Sequence, residues 1–488
     1  MSDVMDDPSV LEPVGGATTP LGSGPTSEPP TLPPRAGRRL ARPMWWIAAG
    51  AGVAALATRL PLLTHPRVLV FDEVFYATQG WEISRTGVEQ GLTVHPPLAK
   101  WLLALGIKVF GFTPLGWRIV PLLAGVLVVV ATVIAAARLF DQRGATVLAG
   151  AVVLTDGIAF TTGRLALLDG IVAAFTTSAL AVVATTLSRP LDVPLRRRCE
   201  VAAALLLGAA VACKWSAMPL VPVAALVIGV LAWRAFPDRR MRRLELLRSL
   251  ATVLILPVSV YGLAYVPTII NFDESAIGRD WCSPSVDCTA GLPTRLRETV
   301  ANQRSMWRFH ESLVPMNRYA KNASSWVFQT EPVGLLSSPC PSADPTCSSD
   351  DSPSVRRIIG MSNPAVWALA TIALGFLLLS SLSRQSLRRA LIWMWAAALW
   401  LPWIVRPRLG WLPFESARPG YTFYAAPLVP ALALALAVAW GDIRGRKRYI
   451  IGAAFAALLV VGFAVLYPVW TGLPTSSSYL NGLVSPGR

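Results

Sequence analysis

The sequence predicts an all-α polytopic membrane protein with about eleven transmembrane helices and a long extracytoplasmic loop. Three observations carry that expectation. Of the 488 residues, 53% are hydrophobic and only 15% charged, where a soluble globular chain carries roughly 25% charged residues. Uncharged apolar runs recur at 119–137, 250–270, 421–440 and 449–470, each close to the roughly 20 residues that cross a bilayer as helix. Helix is the form such runs take, because hydrocarbon offers no water to satisfy backbone groups. Third, the arginines cluster in short connectors between the runs: Arg35/Arg38/Arg39/Arg42, Arg196/Arg197/Arg198, Arg239/Arg240/Arg242/Arg243, Arg388/Arg389 and Arg444/Arg446/Lys447/Arg448.

Those clusters set orientation. The net charge of +16 invites a nucleic-acid reading, but the distribution follows the positive-inside rule, so no nucleic-acid partner is expected. Spans are read at about 44–63, 117–139, 145–163, 168–187, 200–214, 217–235, 249–270, 363–382, 390–405, 421–440 and 449–470. With the first cluster in the cytoplasm, alternation brings every dense basic connector inside. The C-terminus then lies outside.

The domain reading follows. Residues 1–42 form a disordered cytoplasmic tail, rich in Pro, Gly, Ser and Thr over 1–34 and without apolar periodicity. Residues 43–270 form an N-terminal transmembrane catalytic region with an outer loop at 64–116. An outer loop at 271–362 holds nine Lys/Arg against ten Asp/Glu, a balance unlike the inner connectors. A C-terminal transmembrane region (363–472) and an outer tail (473–488) complete the chain.

Cys282 and Cys288 lie close together in the large loop, as do Cys340 and Cys347. Their gaps exceed the usual zinc spacing and no histidine lies within twenty residues of either pair. Local disulfides on an oxidising side are expected, and no metal.

The chemistry-bearing residues gather in the outer segments. VLVFDEVFYATQGW sets Asp72 and Glu73 side by side among aromatics just past the first span. A carboxylate partly buried there is costly unless it is paired or used. HPPLAKWLLALG follows, a rigid turn and then a short interfacial helix. There His95 reads as a polar site residue, a metal ligand or an interface histidine. TGRLALLDG and ACKWSAMP place Arg164, Asp169 and Lys214 at outer ends of hairpins, and the connector RPRLGWLPFESARPG adds Arg406, Arg408 and Arg418. Cations are disfavoured on short outer connectors, so their presence suggests an anionic ligand, or for Arg164 an ion pair with Asp169 or Asp156. Several cations converging at one membrane face suit a phosphate. A transporter, the reading from another class, more often places charge at the midplane within inverted repeats, and no such repeat is visible.

FDEVFYA followed by HPPLAKWLLALG resembles the first extracytoplasmic loop of the protein O-mannosyltransferases, of the C-type glycosyltransferase superfamily. The similarity continues in order through GRLALLD, CKWS, MWRFH, SSWVFQTEPV, GMSNPAVW, LPW and LYPVWTG, over about residues 44 to 472. The loop at 271–362 leaves no room for the β-trefoil domain of the eukaryotic members, so the chain is similar to bacterial, actinobacterial-type members.

The resemblance implies a C-type glycosyltransferase fold and transfer of mannose from polyprenyl-phosphate mannose to Ser/Thr hydroxyls of secreted or membrane proteins. It implies an outward-facing site, inversion, no cofactor, and possible contact with the translocation machinery and membrane lipids. Its acidic pair maps onto Asp72 and Glu73, and its essential arginine onto Arg164. Because a phosphate ester leaves as an anion without a general acid, one base suffices. Asp72 is assigned that role, with Glu73 positioning the acceptor or sharing the task, and Lys214 with Arg164 offsetting the leaving charge. The runner-up within the superfamily uses another polyprenyl-phosphate sugar or a lipid acceptor.

Overall fold

The computed structural model describes residues 42–91, 93–140, 142–188, 191–282, 289–313, 323–339, 354–405, 420–476 and 479. Helices occupy each of the eleven expected segments: α1 (Arg42–Arg59), α4 (Pro114–Leu139), α5 (Arg143–Thr155) with α6 (Gly157–Thr162), α7 (Leu168–Ser188), α8 (Val193–Cys213), α9 (Leu220–Arg234), α10 (Arg239–Leu263) with α11 (Val266–Ile270), α14 (Pro364–Ser383), α15 (Leu387–Val405), α16 (Val429–Asp442) and α17 (Arg446–Thr471). Between them lie α2 (Glu73–Thr86), α3 (Leu98–Phe110), α12 (Ala276–Trp281) and α13 (Leu292–Ser312).

Seven helical stretches among the described residues are long and apolar enough to cross a membrane: Pro114–Leu139, Leu168–Ser188, Trp215–Arg234, Arg239–Leu263, Pro364–Ser383, Thr422–Asp442 and Arg446–Thr471. Two of the four segments not among the seven have local causes. The expected span at 145–163 is broken at Asp156, whose carboxylate caps α6 through Ala159 N (2.8 Å) and also takes Ser362 Oγ (2.7 Å) and Trp367 Nε1 (2.8 Å). The polar first turns of α8 shorten its apolar part: Arg196 and Glu200 pair there at 2.9 Å, Arg196 and Arg197 reach Glu245 of α10 at 2.6 and 2.8 Å, and Arg248 bonds Glu200.

Local rules set the element ends. Thr113 accepts the Gly116 N–H ahead of Pro114 at the start of α4, and Asn363 does the same for α14 ahead of Pro364. Gly87 closes α2 in the left-handed conformation (φ 78°), a position open to glycine at no steric cost. Gly106 of α3 sits so close to α4 that an added Cβ would meet Gly116 O at 2.5 Å. That contact seats α3 and the turn before it on the helix bundle. Burial then orders the bundle: 89% of the apolar window of Thr422–Asp442 is buried against 11% for Arg446–Thr471, so α16 is central and α17 peripheral.

The large loop holds more than a connection. Beside α12 and α13 it forms strands β1 (Val333–Pro339) and β2 (Ser354–Gly360), which pair antiparallel with a bulge between Gly334 and Leu336. A third strand, β3 (Pro474–Ser476), follows α17 and pairs with β2, giving the order β1-β2-β3. Val333, Leu335 and Ile358 of this sheet pack on Val70, Leu167 and Phe423, with Phe71 against them. The sheet thereby lies on the segment that carries the adjacent acids.

Candidate active site

The two acids divide at the start of α2. Asp72 is the residue before the helix and Glu73 its first, and successive helical positions project about 100° apart. Phe71 precedes them at φ 50°, unusual for a large side chain, held by edge-on contacts with Tyr421 and Phe423 at 6.1 and 5.6 Å.

Glu73 turns inward and is fully buried. Its Oε1 accepts from Arg118 Nε (2.9 Å) and Ala166 N (2.9 Å), and its Oε2 from Arg118 Nη2 (2.7 Å) and Val70 N (2.9 Å). Arg118 in turn donates to the carbonyls of Leu63, Pro66 and Val68 at 3.1, 2.8 and 3.0 Å. One ion pair thus ties the segment 63–73, α4 and the turn at 163–167 together. This differs from the expectation that Glu73 positions the acceptor or shares the base: four donors occupy its oxygens, and no water-facing surface remains.

Asp72 is half-buried, and burial raises its carboxyl to about 6. Lys214 opposes that rise, Asp169 adds to it, and the Tyr76 hydroxyl lowers it by donating a hydrogen bond. Lys214, just past the end of α8, is bound through Nζ to both oxygens of Asp169, at 2.9 and 2.8 Å, and lies 4.1 Å over the Tyr424 ring. Lys214 therefore has a carboxylate partner in this structure. Asp169 fixes where its charge stands, beside Asp72.

A wall of rings lines the same region. The His95 ring lies tilted 4.8 Å from that of His310 of α13 and 6.0 Å from that of Tyr76. His310 Nε2 bonds the Val94 carbonyl at 2.7 Å. Trp215, next to Lys214, lies 6.4 Å from His310 and donates to Tyr261 Oη at 2.9 Å. The turn bearing His95 is clamped by Lys100, whose Nζ reaches the His95 carbonyl (3.0 Å) and Glu89 (2.5 Å). Four separate segments thus bring together an acid of raised basicity, a fixed cation and rings suited to a sugar face.

Arg164 behaves otherwise than expected. It pairs with neither Asp169 nor Asp156. Its Nη1 donates to the carbonyls of Arg59 and Pro61, and the guanidinium lies 5.4 Å over Phe160. Burial, with Arg118 adding to it, lowers its ionisation to about 10. It anchors the end of α1, where the loop to Asp72 begins. Cys282 is disulfide-bonded. Cys288, Cys340, Cys347, Arg406, Arg408 and Arg418 lie outside the described residues, as do the tail residues 1–41.

Arg118 was not singled out from the sequence, and Tyr76 only as one of the aromatics around the acids. The signal for Arg118 was present: an arginine inside an apolar run calls for a buried acid.

Residues 94–261 match the family model for dolichyl-phosphate-mannose-protein mannosyltransferases. A curated polyprenol-phosphate-mannose–protein mannosyltransferase of Mycolicibacterium smegmatis is 29% identical, over 96% of this chain and 97% of its own length. Its namesake in Corynebacterium glutamicum is 28% identical over 86% of each. In fold, the chain is similar to the Saccharomyces cerevisiae protein O-mannosyltransferase Pmt1-Pmt2 complex bound to the sugar donor. That match has a TM-score of 0.73, 13% identity, and 91% and 92% of the two chains covered.

Proposed function

We propose, on the premise that this chain belongs to the protein mannosyltransferase family, that it transfers mannose from polyprenyl-phosphate mannose to Ser or Thr hydroxyls of polypeptides, with inversion. The observation that carries the reading is Asp72: a half-buried carboxylate of raised pKa, hydrogen-bonded by Tyr76 and beside Lys214. In the step, the acceptor hydroxyl gives its proton to Asp72 as its oxygen bonds to the anomeric carbon. The bond from that carbon to the phosphate oxygen breaks, and its electron pair leaves with the polyprenyl phosphate, whose charge Lys214 offsets. A β-linked donor then yields an α-mannoside. His95, His310 and Trp215 would enclose the sugar, and Arg164 and Glu73 hold the framework.

A base must be ionised to act. With Asp72 at about 6 in the free enzyme, kcat/KM is expected to climb about tenfold per pH unit below pH 6 and to level off above it. The check is a pH–rate profile for transfer to a Thr-containing peptide. A profile flat from pH 4.5 to 7.5 would assign the base elsewhere.

Eleven spans with a cytoplasmic N-terminus, the site and C-terminus outside, and the domain boundaries given above complete the reading, supported by the basic connectors. After mild reduction, a membrane-impermeant thiol reagent should reach Cys282 in intact cells. Labelling confined to lysed cells would reverse the orientation.

A further inference from the structure

We propose that the unpaired edge of β1 takes up the acceptor polypeptide as an added strand, a proposal that rests on the mannosyl-transfer reading. Among the described residues, β1 is hydrogen-bonded to β2 along one side only and is an outer strand of the order β1-β2-β3. Alternate residues of such a strand turn N–H and C=O away from the sheet. No other backbone hydrogen bond reaches Val333–Pro339 among the described residues.

The edge also carries no charge. Natural edge strands are blunted by charge, by proline or by bulges; β1 reads VGLLSSP, with no charged residue and its one proline at the last position. Gly334, Ser337 and Pro339 are exposed, and an added Cβ on Gly334 would meet nothing within 4 Å. A bulge at Gly334–Leu336 bends the strand there, a device found at sheet edges and beside active sites.

Place and chemistry point to the occupant. Val333 and Leu335 pack in one cluster with Val70 and Phe423, and Phe71, the residue before Asp72, lies against it. On the mannosyl-transfer reading the acceptor is a polypeptide, and every polypeptide offers the same main-chain donors and acceptors. Main-chain pairing with an extended segment is independent of sequence. It also presents every second side chain to the same face, so a Ser or Thr of the correct parity would be turned toward Asp72.

The test uses the full-length enzyme in detergent with polyprenyl-phosphate mannose and a Thr-containing peptide. Single N-methyl groups placed along the peptide should raise its KM about three- to tenfold at alternate positions. The positions between should be unaffected, and so should the donor KM. Equal tolerance at every position overturns the proposal. Independently of turnover, Gly334→Cys should form a disulfide, under mild oxidation, with peptides carrying one cysteine at every second position. Uniform or absent cross-linking, or disulfides between two copies of the enzyme, overturns it as well. If the unmodified peptide accepts no mannose, the function reading fails, while the cross-linking pattern still reports on the edge.

Discussion

Asp72→Asn is expected to lower mannosyl transfer by about 10² to 10⁴, the usual cost of losing a general base, while donor binding stays near wild type. Asparagine keeps the shape of the side chain and can still accept the Tyr76 hydroxyl, so the change removes basicity and little else. The pH 6 limb should vanish with it. The measurement is single-turnover transfer to peptide, with donor affinity followed in parallel. A variant that folds and keeps more than about a tenth of wild-type turnover would contradict that magnitude. Glu73 offers no replacement, since Arg118, Val70 and Ala166 already occupy its oxygens.

The second large effect falls on folding. Glu73→Gln leaves Arg118 as an uncompensated buried charge, and breaking such a pair costs about 3–5 kcal/mol. We expect a sharp drop in thermal stability in detergent and in the yield of folded protein, not a selective loss of kcat. Arg118→Met should do the same, and Glu73→Met with Arg118→Met should cost clearly less than the two changes added together, because the second removes the charge the first stranded. A Glu73→Gln protein of normal stability but no activity would return Glu73 to the chemistry.

The eleven helical segments were legible because each is a local run, and the basic connectors are local too. The division of labour between Asp72 and Glu73 was not, since two acids in sequence look alike until Arg118, forty-five residues on, claims one of them. The site cation was found in the lone Lys214, but its partner Asp169 was weighed against Arg164 instead; charge pairing across helices has no signature in spacing. His310 was visible only through the MWRFH resemblance. The sheet escaped notice for a related reason. Its strands are joined across 333–360 and 354–476, and VGLLSSP and SVRRIIG are too short and irregular to declare a face by alternation. The break at Asp156 was hidden because its reward, the bonds to Ser362 and Trp367, lies more than two hundred residues away.

The strand that follows α17 makes the sheet depend on the order of synthesis. β2 gains its second neighbour only when Pro474–Ser476 pair with Ser354–Arg356 and the Thr475 hydroxyl reaches the Val355 carbonyl at 3.3 Å. Every helix described here precedes that strand in the chain. A nascent protein that has already threaded its bundle would carry Asp72, Lys214, His95 and His310, yet still hold β2 with β1 as its one strand neighbour, seated on Val70 and Phe423 but without β3 along its other side. Translation thus delivers the last strand of the sheet after all the chemical groups are in place.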